Sequence, residues 1–235
     1  GLTTQNHDAL TTATLSGGHT ALYTVNAATG ELDGWLSSGN GALASDISFE
    51  TPIAPLSPVG PVMLIHAEVG GVQFLLAVDD STQGVRSYRI EDDTGRLRAR
   101  DSCGVTDGLG FALPTALETV SAHGATWVIL AAAGSSSLSV MKLAANGALT
   151  PTDHILDTLA TRFAGVTALE VVEADGHVFV LAGGADDGIS LLSDQVFDID
   201  IHEIPANSRE AAHLHYDVRY LFRAEAGDIR ASAES

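Results

Sequence analysis

The chain has 235 residues, 45% of them hydrophobic and 17% charged, a balance typical of a folded globular protein and not of a disordered one. Its formal net charge is −19, with 30 acidic residues against 11 Lys and Arg. That deficit of cations excludes nucleic acid and an anionic membrane surface as partners, since both are bound through clustered positive charge. Cys103 is the single cysteine, so no intrachain disulfide can form. No apolar run reaches the length of a membrane span, and the opening GLTTQNHDAL lacks the basic-then-apolar pattern of a secretory signal.

In chain order, the first predicted elements are an alternating strand at 21–25, a turn at Thr29-Gly30 and a strand opening on Leu32. A Pro-rich insertion follows at 51–61. Residues 62–69 then read as a strand, Gly70-Gly71 as a turn, and 74–77 as a short apolar strand. After Asp79-Asp80, which reads as a polar turn, the strand–turn–strand pattern returns at 87–90, Thr94-Gly95 and Leu97. It returns again at 140–143, Asn146-Gly147 and Leu149. Strand, Gly turn and apolar run also recur at 115–120, Gly124 and 127–131, and at 166–172, Gly176 and 179–182.

Thr-Gly or Asn-Gly between alternating runs is a hairpin signal. Glycines 30, 95 and 147 recur at intervals of about 50 to 65 residues. Each full unit therefore holds four strands in roughly fifty residues, the signature of a propeller blade. Continuous apolar runs such as 127–133 suit strands buried on both faces between blades. A β-sandwich also uses short strands and Gly turns, but the fifty-residue period favours the propeller. By this template the first unit is compressed and the last is cut short after 188–192. Residues 183–189, GGADDGI, come near the calcium-binding nonapeptide GGxGxDxUx but fail in register at Asp186 and Gly188, and read as a turn at a blade edge. His66, His123 and His154 are scattered and read as turn or surface residues.

From Ser193 the repeat stops and the composition turns rich in His, Asp and Arg. In 197–205, Asp198, Asp200 and His202 share one face and Ile199 and Ile201 the other. In 213–220, His213, His215, Asp217 and Arg219 alternate with Leu214, Tyr216, Val218 and Tyr220. Imidazole and carboxylate at i, i+2 spacing are good ligands for first-row metals. The candidate metal set is His202, His213, His215 and Asp217, with a divalent metal as the candidate cofactor. An even pairing register puts all four on one face, whereas an odd one leaves only His213, His215 and Asp217. A hydrogen-bonded, partly solvated polar layer accounts for the same residues without a metal.

Residues 10–192, with runs such as VFVLAGGADDGISL at 178–191, resemble the lactonase-like or YVTN-type β-propellers of bacteria, especially propeller segments of large secreted calcium-binding proteins. That resemblance implies an extracellular or periplasmic location. The tail resembles a strand pair of bacterial Nudix hydrolases, DIDIHxIPA…HxHYDxRY, here at 198–206 and 213–220, and 231–235 resemble the start of the family's next segment. The family's signature helix, GX5EX7REUXEEXGU, supplies the glutamates that hold Mg²⁺. Arg209-Glu210 is the single Arg-Glu pair in the chain and no Glu-Glu follows it, so that box is missing. Without the metal, hydrolysis of this type loses nucleophile activation and charge neutralisation.

The resulting expectation is an all-β chain: a β-propeller-like array of about four blades, the last incomplete, over residues 1–192, and a C-terminal β-hairpin within 193–235. The expected function is a non-enzymatic scaffold or ligand-binding module fused to a non-catalytic Nudix-like fragment. The alternative is a Nudix-class hydrolase of nucleoside diphosphate derivatives whose metal-binding half lies outside this chain; that reading implies a cytoplasmic location. A lactonase-like enzyme working through the propeller channel is a third reading, for which the blades offer no evident catalytic constellation. No catalytic or cofactor-binding residue is assigned. Unpaired blade edges make self-association the expected partnership.

Overall fold

Alternating and apolar runs become antiparallel strands throughout the computed structural model. It describes residues 9–37, 42–49, 53–57, 59–80, 84–158, 163–174, 177–184, 189–191, 198–204, 213–219 and 222–224; the side chains at 44–45, 173–177 and from 185 onward lie outside the description. The chain forms two compact units, 1–184 and 185–235.

In the first unit, β1 (Leu10–Thr14), β2 (Thr20–Val25), β3 (Leu32–Ser37) and β4 (Leu43–Asp46) form one sheet in chain order. The strands β5 (Met63–Val69), β6 (Val72–Val78), β7 (Val85–Ile90) and β8 (Leu97–Cys103) form the second. After a short 3₁₀ turn at Val105–Asp107, β9 (Pro114–Ala122), β10 (Ala125–Ala132), β11 (Ser137–Leu143) and β12 (Leu149–Leu156) form the third. β13 (Val166–Ala174) and β14 (His177–Gly184) make a two-stranded fourth sheet. Each full sheet is an up-and-down meander, the form of a propeller blade.

The blades stack face to face because their central strands are apolar on both sides. Phe74, Leu75, Leu76, Ala77 and Val78 of β6 are all fully buried. Leu75 and Ala77 pack with the first sheet, around Tyr23, Val25 and Leu32. Phe74, Leu76 and Val78 point the other way, packing with Val128, Leu130 and Met141 of the third. In β10, Ile129 and Ala131 face the fourth sheet, where they meet Phe163, Val166 and Leu169. Period-2 alternation thus feeds two separate cores from one strand, and each fully buried Leu contributes about 1.5–3 kcal/mol.

The hairpins at Gly30, Gly95 and Gly147 occur where the spacing predicts them, with φ of 72°, 70° and 91°. The Gly95 amide donates to the Glu91 carbonyl (2.7 Å) and the Gly147 amide to that of Ala144 (2.8 Å). One detail departs from the template. Gly95 and Gly147 join the third and fourth strands of their sheets, whereas Gly30 joins the second and third. The first sheet takes its fourth strand from β4, downstream of the hairpin, so it has a full four strands despite its compressed appearance in sequence.

In the second unit, β15 (Ile189–Leu191) pairs with β18 (Phe222–Ala224), and β16 (Asp198–Ile204) pairs with β17 (His213–Arg219), both antiparallel. Residues 185–188 and 205–212 lie outside the described residues. Among the described residues no helix is long and apolar enough to cross a membrane.

Candidate functional site

The blades are joined by polar contacts at both ends of the turns. The Tyr23 hydroxyl of β2 donates to the carbonyl of Gly95 in the next blade, at 2.6 Å. One blade on, the Ser87 hydroxyl of β7 donates to the carbonyl of Gly147, at 2.5 Å. Both donors are fully buried, and burial pushes the Tyr23 phenol well above the ordinary tyrosine range.

At the other end of the second blade, Asp79 is completely buried, which its place in a polar turn does not suggest. Its Oδ2 accepts from the Ser57 amide (2.6 Å) and lies 3.3 Å from Arg86 Nη2. Arg86 Nη1 also donates to the carbonyls of Ala54 and Pro55, at 3.1 and 3.2 Å. Among the described residues Arg86 Nε is buried with no hydrogen-bond partner. Tyr88, on the same face, has its phenol raised by burial and partly lowered again by the Arg86 charge. Asp80 Oδ1 accepts from the Leu113 amide at 2.7 Å. The two aspartates therefore hold the connections to both neighbouring sheets: Asp79 the one arriving from the first, Asp80 the one leading to the third. The alternation Val85-Arg-Ser-Tyr-Arg-Ile90, which puts Arg86 beside Tyr88 and Ile90, is the sequence signal for this cluster.

Successive sheets approach one another through their first strands, β1 to β5, β5 to β9 and β9 to β13, which identifies these as the inner edge of the array. Glu118 of β9 and Glu170 of β13 stand at equivalent places in the repeated segment Thr-Ala-Leu-Glu, and both are exposed. Partial burial, with a smaller contribution from the Glu170 charge, raises the Glu118 carboxyl above its ordinary value.

A third cluster lies on β7 and β8. An open cleft of about 360 Å³ is lined by Arg89, Glu91, Asp92, Asp93, Arg98 and Arg100. Arg89 and Arg98 are directly opposite in the ladder, and Arg100, which also lines the cleft, is the bulged residue of β8 between the Ser87–Asp101 and Tyr88–Ala99 pairs. Like charges directly opposite are destabilising. Glu91 offsets one of them through an ion pair with Arg98, whose charge and hydrogen bond hold the Glu91 carboxyl below its ordinary value.

Among the described residues no group of three or more His, Cys, Asp and Glu is arranged to hold a metal ion. The candidate set in the tail belongs to the second unit. There the backbone register pairs His202 with His215, Ile204 with His213, and Asp200 with Asp217. Positions 202, 213, 215 and 217 thus fall in one alternation class, the even register that the set requires; their side chains lie outside the described ones. Of the scattered histidines, His123 occupies the β9–β10 turn at φ 53°. His66 and His154 are half-buried strand residues and not turn residues: His66 Nε2 bonds Gln73 Oε1 at 3.0 Å, and His154 Nδ1 bonds the Ser139 hydroxyl at 2.9 Å.

No family model matches the chain, and no curated protein matches it. Among solved structures it is similar to the exo-β-1,3-galactanase of Phanerochaete chrysosporium, crystallised with β-1,3-galactotriose, at a TM-score of 0.50 and 13% identity. The match covers 81% of this chain and 46% of the galactanase, so the chain spans less than half the length of the protein it matches. At that identity the likeness carries the fold alone. With the sheet order it establishes an all-β, β-propeller-like array.

Proposed function

We propose that the chain is a non-enzymatic propeller-like scaffold or ligand-binding module, with a non-catalytic Nudix-like strand pair in residues 193–235. The observation that supports this reading is where the buried polar groups go. Tyr23, Ser87 and Asp79 are buried, and each bonds backbone of the adjoining blade or connection. A catalytic constellation needs such groups to converge on an accessible reacting atom. Here they are committed to holding blades together. The resemblance of the blades to secreted propellers carries with it an extracellular or periplasmic location.

One observation favours a second reading. Glu118 and Glu170 are carboxylates on neighbouring inner strands, one of them with a raised pKa, which is a pattern seen in acid–base pairs. The galactanase similar to this chain was crystallised with a β-1,3-linked galactose oligomer. Incubation with β-1,3-galactotriose, and separately with ADP-ribose and Mg²⁺, tests both enzymatic alternatives. The expected result is no turnover above a protein-free control. Sugar release that is lost in Glu118→Gln would replace the binding reading with a hydrolytic one. Cleavage of the ADP-ribose diphosphate bond, abolished by EDTA, would favour the Nudix alternative.

A further inference from the structure

We infer that the cleft on β7 and β8 is a binding site for a carboxylate-bearing sugar, a uronate, held by Arg89 and Arg100. The inference rests on the binding-module reading and names a ligand class for it.

The first argument is the concentration of charge. In a chain with 30 acidic residues and 11 basic ones, scattered cations are the expectation. Instead Arg86, Arg89, Arg96, Arg98 and Arg100 all belong to the second blade, and Lys142 is the other cation among the described side chains. Arg86 is taken up by Asp79 and the carbonyls of Ala54 and Pro55. Arg98 is taken up by Glu91. Arg89 and Arg100 are exposed in the cleft, with no hydrogen bond or ion pair to another described residue. Repulsion across the Arg89–Arg98 pair is therefore only half relieved, and an anion entering the cleft would relieve the rest.

The second argument selects the anion. Guanidinium groups bind carboxylate in a planar, two-bonded geometry. Phosphate and sulfate would share this preference, but the cleft also carries Glu91, Asp92 and Asp93 on its rim. Asp92 Oδ1 already accepts from the Ser16 amide at 2.9 Å and from Gln73 Nε2 at 3.3 Å. Glu91 accepts from Thr94 and Arg98. Asp93 is exposed and not engaged with another described residue. Three carboxylates repel a compact dianion, yet they accept hydrogen bonds from hydroxyl groups. A ligand with one carboxylate and several adjacent hydroxyls matches both halves of the cleft; a bare phosphate matches one.

Calorimetric titration of the full chain with D-glucuronate, D-glucose and acetate tests this. Glucuronate carries both groups, glucose the hydroxyls alone, and acetate the carboxylate alone. The expected result is measurable glucuronate binding that is at least about tenfold tighter than either control, the loss typical of removing a charged hydrogen-bonded partner. Arg89→Gln/Arg100→Gln keeps the apolar stems, including the Arg100 Cβ and Cγ that pack against Gly147. This variant should melt like the wild type and lose binding. Arg89→Lys/Arg100→Lys should recover only part of it, and Lys142→Gln should bind normally. Equal binding of glucose and glucuronate, or no loss in the Gln double variant, overturns the site. Conversion of glucuronate to product would instead overturn the binding-module reading while leaving the location of the site standing.

Discussion

The Tyr23 hydroxyl donates to the carbonyl of Gly95, 72 positions later in the chain, at 2.6 Å. Ser87 repeats the contact with Gly147 one blade on, at 2.5 Å. In both cases the donor sits on the strand before a Gly hairpin and the acceptor is the hairpin glycine of the next blade. The period seen in sequence is thus a physical period. Each blade reads the turn of its successor, and a glycine is needed there both for its positive φ and for space: a Cβ on Gly95 would lie 2.9 Å from Ile47 and one on Gly147 would lie 2.6 Å from the Arg100 stem.

Tyr23→Phe should therefore destabilise the first unit by about 1–2 kcal/mol, since it leaves the Gly95 carbonyl buried without its partner. Ser87→Ala should cost a similar amount, and the two losses should add, because the contacts belong to different blade interfaces. Urea denaturation followed by circular dichroism measures both; a change within about 0.3 kcal/mol for each would show that the contacts are not stabilising.

Asp79→Ala should be more damaging. It strands the Arg86 guanidinium, whose side chain is 11% exposed, and releases the Ser57 amide. Loss of one member of a buried pair costs about 3–5 kcal/mol. Replacing both partners, as Asp79→Leu/Arg86→Met, should recover much of that loss. A double variant as unstable as the single one would mean that the backbone contacts of Arg86, and not the ion pair, hold the connection at 54–57.

Glu118 gives a pH signature. Its folded pKa is raised, so its protonated form favours the folded state; that contribution is complete below the unfolded pKa and is lost as pH rises through the folded value. Glu118→Gln should accordingly raise the melting temperature slightly at pH 7 and make no difference below about pH 4, where the wild-type carboxyl is itself neutral. The effect is small because the carboxylate is exposed and screened. A variant that melts at the same temperature as the wild type at pH 7 would contradict the sign.

The tail hairpin should bind Zn²⁺ or Ni²⁺ through His202, His213, His215 and Asp217, losing affinity below about pH 6 as the imidazoles take up protons. The register pairing His202 with His215 is the one this proposal requires. Calorimetry of the wild type against His213→Ala/His215→Ala checks it, and equal binding by both would leave these residues as a polar strand layer.

The fourth sheet supports the proposal of self-association. Among the described residues β14 is paired in a ladder with β13, and Val180 on it is 41% exposed. Edges of this kind accept a further strand. The chain should sediment as a concentration-dependent oligomer, and Val180→Lys should shift it toward monomer. A monomer at every concentration would sink the idea.

Much of the architecture was legible in the residues alone. The strand–turn–strand units at Gly30, Gly95 and Gly147, and the two-faced burial of continuous apolar runs such as that within 127–133, follow from local periodicity, because alternation and turn chemistry are properties of a few adjacent residues. Other features were decided only when sheets met. Asp79 reads as a surface turn residue until the connection at 54–57 closes over it with Arg86. Arg89 and Arg98 are nine positions apart and come to stand directly opposite through the β7–β8 register. Glu118 and Glu170 meet only because first strands of successive blades share an inner edge. Sequence specifies each blade through short-range geometry. Which charges end up facing each other depends on register and on packing between segments far apart in the chain, and tertiary structure alone sets those.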